Sequence, residues 1–420
     1  MAGEIKLTAN LHRPVYQALP TPQQAYVLLE ALPTSAAPGT ASQAVNFSLV
    51  LDRSGSMAGE KLRQMKEAAQ LVIDRLGPHD LLSVVVFDDT ADLVLPASPV
   101  QDHAALKRKI EAVNERGGTH MSQGMSTGLR ELQKGLAPNR VSSMLLLTDG
   151  QTWEDVPQCE NLADQCRAAG IPIHVLGLGV GSENNWDPRL LESLAQRSGG
   201  EWTVVDAPDQ VSAAFASTLQ SMQGTAVTNA SLTMRMVEGV TPRTVWRVLP
   251  LISRLGHQAV SLHDVQIFLG DIQHGTGQAL LADLLLPARP AGTYRMLQAD
   301  ITYDVPGSGL TQQKAPVDVI VSFTNDAAQA HQTDPRLMNI IERVVAHKLQ
   351  TQALDEAARG ESQRATQRLR AAATRLLELG ETELAEQANQ QAHQIEQAGQ
   401  MDPAAAQKMR YATKKLTESL

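Results

Sequence analysis

Two carboxylates and three hydroxyls in this 420-residue chain have the types and spacing to hold a small hard cation. The stretch "VNFSLVLDRSGSM" climbs through an apolar run and stops at Asp52, Ser54 and Ser56, two residues apart. "RGGTHMSQG" sets Thr119 in a Gly-Gly loop before a helical run, and "MLLLTDG" closes on Asp149. Every donor is oxygen, with neither sulfur nor imidazole in the set. That suits Mg2+ or Mn2+, with Ca2+ a further option. So few carboxylates leave an ion electron-poor, and an electron-poor ion attracts a carboxylate from a partner. Each fragment alone also reads as an ordinary turn, because Asp, Ser and Gly are turn residues. Their joint occurrence at the ends of separate strands is what singles them out.

Four neighbours are candidates for a partner-facing rim. Arg53 and Met57 flank the first loop, and His120 follows Thr119 directly. His120 could reach the ion, but imidazole is a poorer ligand for Mg2+ than oxygen, which favours the rim reading. Trp153 follows "TDGQ" and reads equally as an exposed partner anchor or as packing under the loop. Asp88 and Asp89 end another strand and read as a turn in preference to a second ion site. His257, His263 and His274 have no motif spacing and read as sheet residues.

The elements that must position these groups follow from periodicity. From Val45 to about Gln223, short apolar runs such as "VNFSLVL", "DLLSVVVF", "SSMLLLT" and "IPIHVLGLG" alternate with amphipathic helical stretches. That pattern predicts a doubly wound α/β unit around a mostly parallel sheet covered on both faces. Ligands of such sheets bind beyond the carboxyl ends of the strands, where Asp52 and Asp149 stand. From Thr225 to about Asn325 the chain shows strand patterns separated by Gly and Pro turns, which predicts an antiparallel β-sandwich. Two strand-like runs before a Pro/Ala/Ser/Gly linker at 33–43 are too few for a sheet of their own, so they are expected to join that sandwich. The α/β unit is then an insertion within it. Beyond Asn325 come helices, opening on Thr333 or Asp334 as cap and Pro335 in the first turn. The expected domains are 1–43 and 224–326 for the sandwich, 44–223 for the α/β unit and 332–420 for a helical bundle.

"DRSGSM", "GGTHMSQG" and "LLLTDG" together resemble the three parts of the metal-ion-dependent adhesion site of von Willebrand factor type A domains. The family's Asp-x-Ser-x-Ser falls on Asp52, Ser54 and Ser56, its threonine on Thr119 and its second aspartate on Asp149. The resemblance runs from about Val45 to Gln223. It implies a divalent ion held by these residues, directly or through water, with a glutamate or aspartate of a partner completing the shell. It also implies a shift of the last helix of the unit between affinity states. In layout the whole chain is similar to integrin β subunits, and to bacterial relatives of calcium-activated chloride channel regulators and inter-alpha-trypsin inhibitor heavy chains.

The remaining sequence narrows the function classes. A formal net charge of -9 argues against a nucleic-acid surface. The N-terminus lacks the apolar core of a signal peptide, and no apolar run approaches the ~18–20 residues of a membrane span. The expectation is therefore a cytoplasmic protein. Cys159 and Cys166 fall two turns apart on one predicted helix, beyond disulfide reach, and read as free thiols. In phosphoryl transferases of the haloacid dehalogenase type a second aspartate stands two residues after the first, but here that position is Ser54. No Walker loop, G-x-S-x-G elbow, kinase set or His-Glu-x-x-His appears. The expectation is a non-enzymatic module that captures an acidic residue of a partner protein through the ion. A scaffold acting through the C-terminal helices and a metal-dependent hydrolase are the alternatives.

Overall fold

The computed structural model describes residues 4–34, 43–150, 152, 154–179, 188–205, 207–398, 401 and 403–418. Most of the expected linker at 33–43 and the whole of Trp153 lie outside the described residues. The chain opens with β1 (Ile5–Leu11), β2 (Val15–Gln17) and β3 (Gln23–Pro33). β1 and β3 pair antiparallel, and the further partner of β3 lies more than two hundred residues on.

Next comes the α/β unit. It runs through β4 (Val45–Asp52), α1 (Glu60–Arg75), β5 (Leu81–Phe87), β6 (Ala91–Pro99), α2 (His103–Glu111) and α3 (Met121–Lys134). It continues through β7 (Val141–Thr148), α4 (Val156–Ala168), β8 (Ile173–Leu178), α5 (Pro188–Ser198), β9 (Trp202–Val205) and α6 (Val211–Gln223). The sheet order is β6-β5-β4-β7-β8-β9, with only the edge strand β6 antiparallel. Every residue of β4 and β7 is buried, because helices cover both faces. One face packs against α1, α2 and α6 through Leu62, Met65, Ile110 and Phe215. The other packs against α3, α4 and α5 through Met125, Leu129, Cys159 and Leu194. Cys159 and Cys166 are both buried free thiols of α4.

The sandwich is completed by β10 (Thr225–Met236), β11 (Thr241–Leu249), β12 (Ser253–Leu255), β13 (Gln258–Ala259), β14 (Asp264–Gln273), β15 (Gln278–Leu286), β16 (Gly292–Val305) and β17 (Leu310–Thr324). One sheet is ordered β1-β3-β15-β11-β12 and the other β13-β14-β10-β16-β17-β2. The N-terminal strands thus enter the sandwich, as their isolation requires. The pairing is antiparallel except for β2, which runs parallel to β17. Leu29, Val245 and Leu284 from one sheet meet Leu232, Ile267 and Ile301 from the other in the core between them.

The outer face of the first sheet is covered by α7 (Pro335–Ala358), followed by α8 (Ser362–Glu378), α9 (Thr382–Ala398) and α10 (Pro403–Lys414). Asp334 caps α7, its carboxylate accepting from the Arg336 and Leu337 amides at 2.8 and 3.2 Å, with Pro335 at the first helical position. The stripe Leu337, Ile340, Ile341 and Val344 then packs onto Leu28, Trp246 and Leu281. The α/β unit also touches this bundle. Glu192 of α5 bonds Lys414 at 2.6 Å, and Lys414 lies 4.7 Å from the Trp202 ring centre.

Candidate metal-binding site

Three loops meet at the carboxyl end of the parallel sheet. β4 ends on Asp52, and a one-turn helix at Gly55–Met57 follows. β7 ends on Thr148, just before Asp149 and Gly150, and the Gly117-Gly118-Thr119 loop leads into α3. Backbone bonds lock the loops together. The Gly55 amide donates to the Gly117 carbonyl at 3.0 Å and the Arg116 amide to the Arg53 carbonyl at 2.8 Å.

Asp52 is fully buried. Its carboxylate accepts from the Ser54 amide at 2.8 Å and from the Thr148 hydroxyl at 2.6 Å. The Ser54 and Ser56 hydroxyls lie 3.0 Å apart, and Ser56 donates to Asp149 Oδ1 at 2.7 Å. Asp149 is also buried, and its Oδ2 receives the Lys61 ammonium at 2.5 Å. Burial pushes the Asp52 carboxyl up to about 6, and the nearby charge of Asp149 pushes the same way against the hydrogen bonds from Thr148 and Ser54. A cation at this place would relieve that cost.

Gly150 marks where the oxygens converge. A Cβ built there would lie 3.4 Å from Thr119 Oγ1 and 3.9 Å from both Asp52 Oδ2 and Ser56 Oγ. One small volume beside Gly150 of the β7 loop is therefore bordered by oxygens from the other two loops. Ser56 is exposed while Asp52 and Asp149 are buried, so the volume opens outward over an acidic floor. The residues present fit a small hard divalent ion. Among the described residues no group of three or more His, Cys, Asp and Glu could hold a metal ion, so two carboxylates and the hydroxyls are the donors on offer here.

The rim differs from expectation in two places. Met57 is fully buried in the core beneath α1, because the short helical turn after Ser54 swings its side chain inward. Arg53 is also largely buried. Its guanidinium pairs with Asp88 at 2.7 Å and also contacts Asp92. Asp88 further accepts from Arg116 at 2.9 Å and from the Thr90 amide at 2.9 Å, which makes it a structural turn. Burial alone would raise the Asp88 carboxyl, but Arg116, the Thr90 amide and Arg53 outweigh it and hold the group down at about 2. His120 is half-exposed between Asp89 at 3.9 Å and Glu154 at 3.7 Å, beside the mouth of the site.

Sequence reasoning missed three contributors. Thr148 orients Asp52, Gly150 leaves the volume open, and Lys61 holds Asp149. Only Lys61 left a signal. A lysine in the first turn of a helix opposes the helix dipole and needs a specific partner. Gly59, at φ 78° and ψ -125°, adopts a backbone that side chains disfavour and so starts α1 where Lys61 can reach Asp149.

The von Willebrand factor type A domain family matches residues 46–218, and the family described as the Sll0103-like, C-terminal alpha-helical domain matches residues 335–419. The chain is 32% identical over 275 residues to the uncharacterized protein sll0103 of Synechocystis sp., covering 64% of this chain and 63% of that protein. It is 32% identical over 168 residues to inter-alpha-trypsin inhibitor heavy chain H3 of Rattus norvegicus, covering 37% of this chain and 18% of that one. The chain thus spans less than two thirds of the length of these curated relatives. The solved structure of a von Willebrand factor type A protein from Catenulispora acidiphila superposes over 98% of this chain and 97% of its own, with a TM-score of 0.79 at 19% identity. The whole architecture, and not the α/β unit alone, is therefore shared with a known fold. Residues 46–218 are a von Willebrand factor type A domain, inserted in a β-sandwich and followed by a C-terminal helical domain.

Proposed function

We propose that the chain is a metal-dependent protein-binding module. Type A domains, including those of the inter-alpha-trypsin inhibitor relatives, generally mediate protein interactions. The observation that carries the finer reading is the open volume beside Gly150, bordered by Thr119, Asp52 and Ser56. Asp52, Ser54, Ser56, Thr119 and Asp149 would hold the ion, Mg2+ or Mn2+ by donor chemistry and Ca2+ by a looser fit. The bound ion would supply an electron-poor centre for an Asp or Glu carboxylate of a partner protein. His120 stands at the mouth to meet that partner. Binding is favoured over catalysis because His120, the histidine beside Thr119, lies between Asp89 and Glu154. No described helix is long and apolar enough to cross a membrane.

The test is affinity capture from native lysate in Mg2+, repeated with chelator and with an Asp52→Ala bait. Partners lost in both controls are the expected result. Partners retained in both would move the function to the sandwich or the helices.

Gly150→Val provides an independent check. Its methyl groups would fill the volume that Thr119, Asp52 and Ser56 border. Calorimetric titration should show saturable Mn2+ binding abolished, with unfolding free energy changed by less than about 1 kcal/mol. Unaltered Mn2+ affinity would place the ion elsewhere.

A further inference from the structure

We infer that Lys61 is a built-in counter-cation that competes with the divalent ion for Asp149 and sets the concentration at which the site fills. The inference rests on the metal-binding reading above. Asp149 is 1% exposed, and both its oxygens are engaged, Oδ1 by the Ser56 hydroxyl and Oδ2 by the Lys61 ammonium. A second carboxylate, Asp52, lies buried beside Gly150, the residue that follows Asp149. Two buried carboxylates need positive charge. Among the described contacts of Asp149, Lys61 is the cation that supplies it.

The lysine is built to yield. Its side chain is 24% exposed, so the path to water is short. Its stem is flexible and its ammonium is readily hydrated. The first turn of α1 does not favour a positive charge, so the helix dipole does not help to hold it there. Arg53, by contrast, is 10% exposed and pinned to Asp88. It is the fixed cation of this end of the sheet, while Lys61 is the exchangeable one.

A divalent ion drawing on Asp149 either displaces the ammonium from Oδ2 or, taking Oδ1 beside Ser56, sits against its charge. Either way the affinity is lower than the oxygen donors alone would give. A neutral side chain of similar length at this position removes the competing charge and leaves every proposed ligand unsubstituted.

The experiment is calorimetric Mn2+ titration of the full chain, with free Mn2+ checked by electron paramagnetic resonance. The proteins are wild type, Lys61→Met, Lys61→Gln as a second neutral variant should the first not fold, and Lys61→Arg. The neutral variants are expected to bind Mn2+ roughly 10–100-fold more tightly, within the usual range of coupling between two ligands. Lys61→Arg, which keeps the charge, should stay near wild type. Neutral variants that bind equally well or more weakly would overturn this inference while leaving the metal reading intact. Absence of saturable Mn2+ binding by every protein would overturn both.

Discussion

Gly128→Leu should destabilise the fold by about 3 kcal/mol or more and abolish Mn2+ binding at a site it does not touch. Gly124 and Gly128 lie one turn apart on α3 and let that helix settle directly onto the sheet. A Cβ at Gly128 would lie 2.6 Å from Val50 Cγ2 and 3.1 Å from Ser48 Oγ. One at Gly124 would lie 2.7 Å from the Phe87 ring. Val50, Ser48 and Phe87 are buried and belong to β4 and β5, so none can move aside cheaply. A leucine must push α3 outward. Because α3 starts at Met121, two residues after Thr119, the displacement pulls that hydroxyl from the volume it borders with Asp52 and Ser56. Gln123→Leu, on the exposed face of the same helix, is the control and should leave both properties unchanged. Urea unfolding and Mn2+ titration read the two effects. A Gly128→Leu protein with less than about 1 kcal/mol of destabilisation and wild-type Mn2+ affinity would show that close helix–sheet contact does not position Thr119.

That dependence shows why some of the site was legible in sequence and some was not. Asp52, Ser54 and Ser56 sit within five consecutive residues after an apolar strand, and the strand rule alone carries them to one end of the sheet. The alternation that defines the α/β unit was equally local. Thr148 against Asp52 and Lys61 against Asp149 were not legible, because each pair is joined across about ninety residues by the fold alone. Met57 misled for the opposite reason. Adjacency to Ser56 suggested a shared surface, but the tight turn at Gly55–Met57 sends the two side chains to opposite sides. Arg53 misled because its partner Asp88 is thirty-five residues away. Among elements, β6 leaves only a weak sequence signal, because it carries Pro96 inside, and its burial in the fold is irregular. Both features fit an edge strand, where a missing amide donor is tolerated.

The joint between the helical domain and the sandwich should weaken steeply in mild acid, and His347 is the expected cause. This α7 residue is 4% exposed and meets the Trp246 ring edge-on at 6.1 Å. Its Nδ1 shares a hydrogen bond with the Thr413 hydroxyl at 3.0 Å. Burial first, and then the charges of Lys414 and Arg410, push its pKa from the ordinary 6.5 down to about 3. Those two cations are themselves held by Glu192 and Asp355, at 2.6 and 3.3 Å. In the unfolded chain His347 takes up a proton below about 6.5, whereas in the folded protein it stays neutral down to about 3. The unfolded state therefore binds more protons across that window, so stability falls as pH falls, by roughly 1.4 kcal/mol per unit. His347→Leu keeps an apolar body against Trp246 and removes the titration, while Thr413 retains its bond to the Met409 carbonyl at 3.2 Å. Urea unfolding followed by circular dichroism at pH 7 and pH 5 should show wild type losing about 2 kcal/mol more than the variant. Equal losses in the two proteins would exclude His347 as the acid-sensitive group. A pH-dependent loss in wild type alone would instead tie the grip of α7 on the sandwich to one buried neutral imidazole.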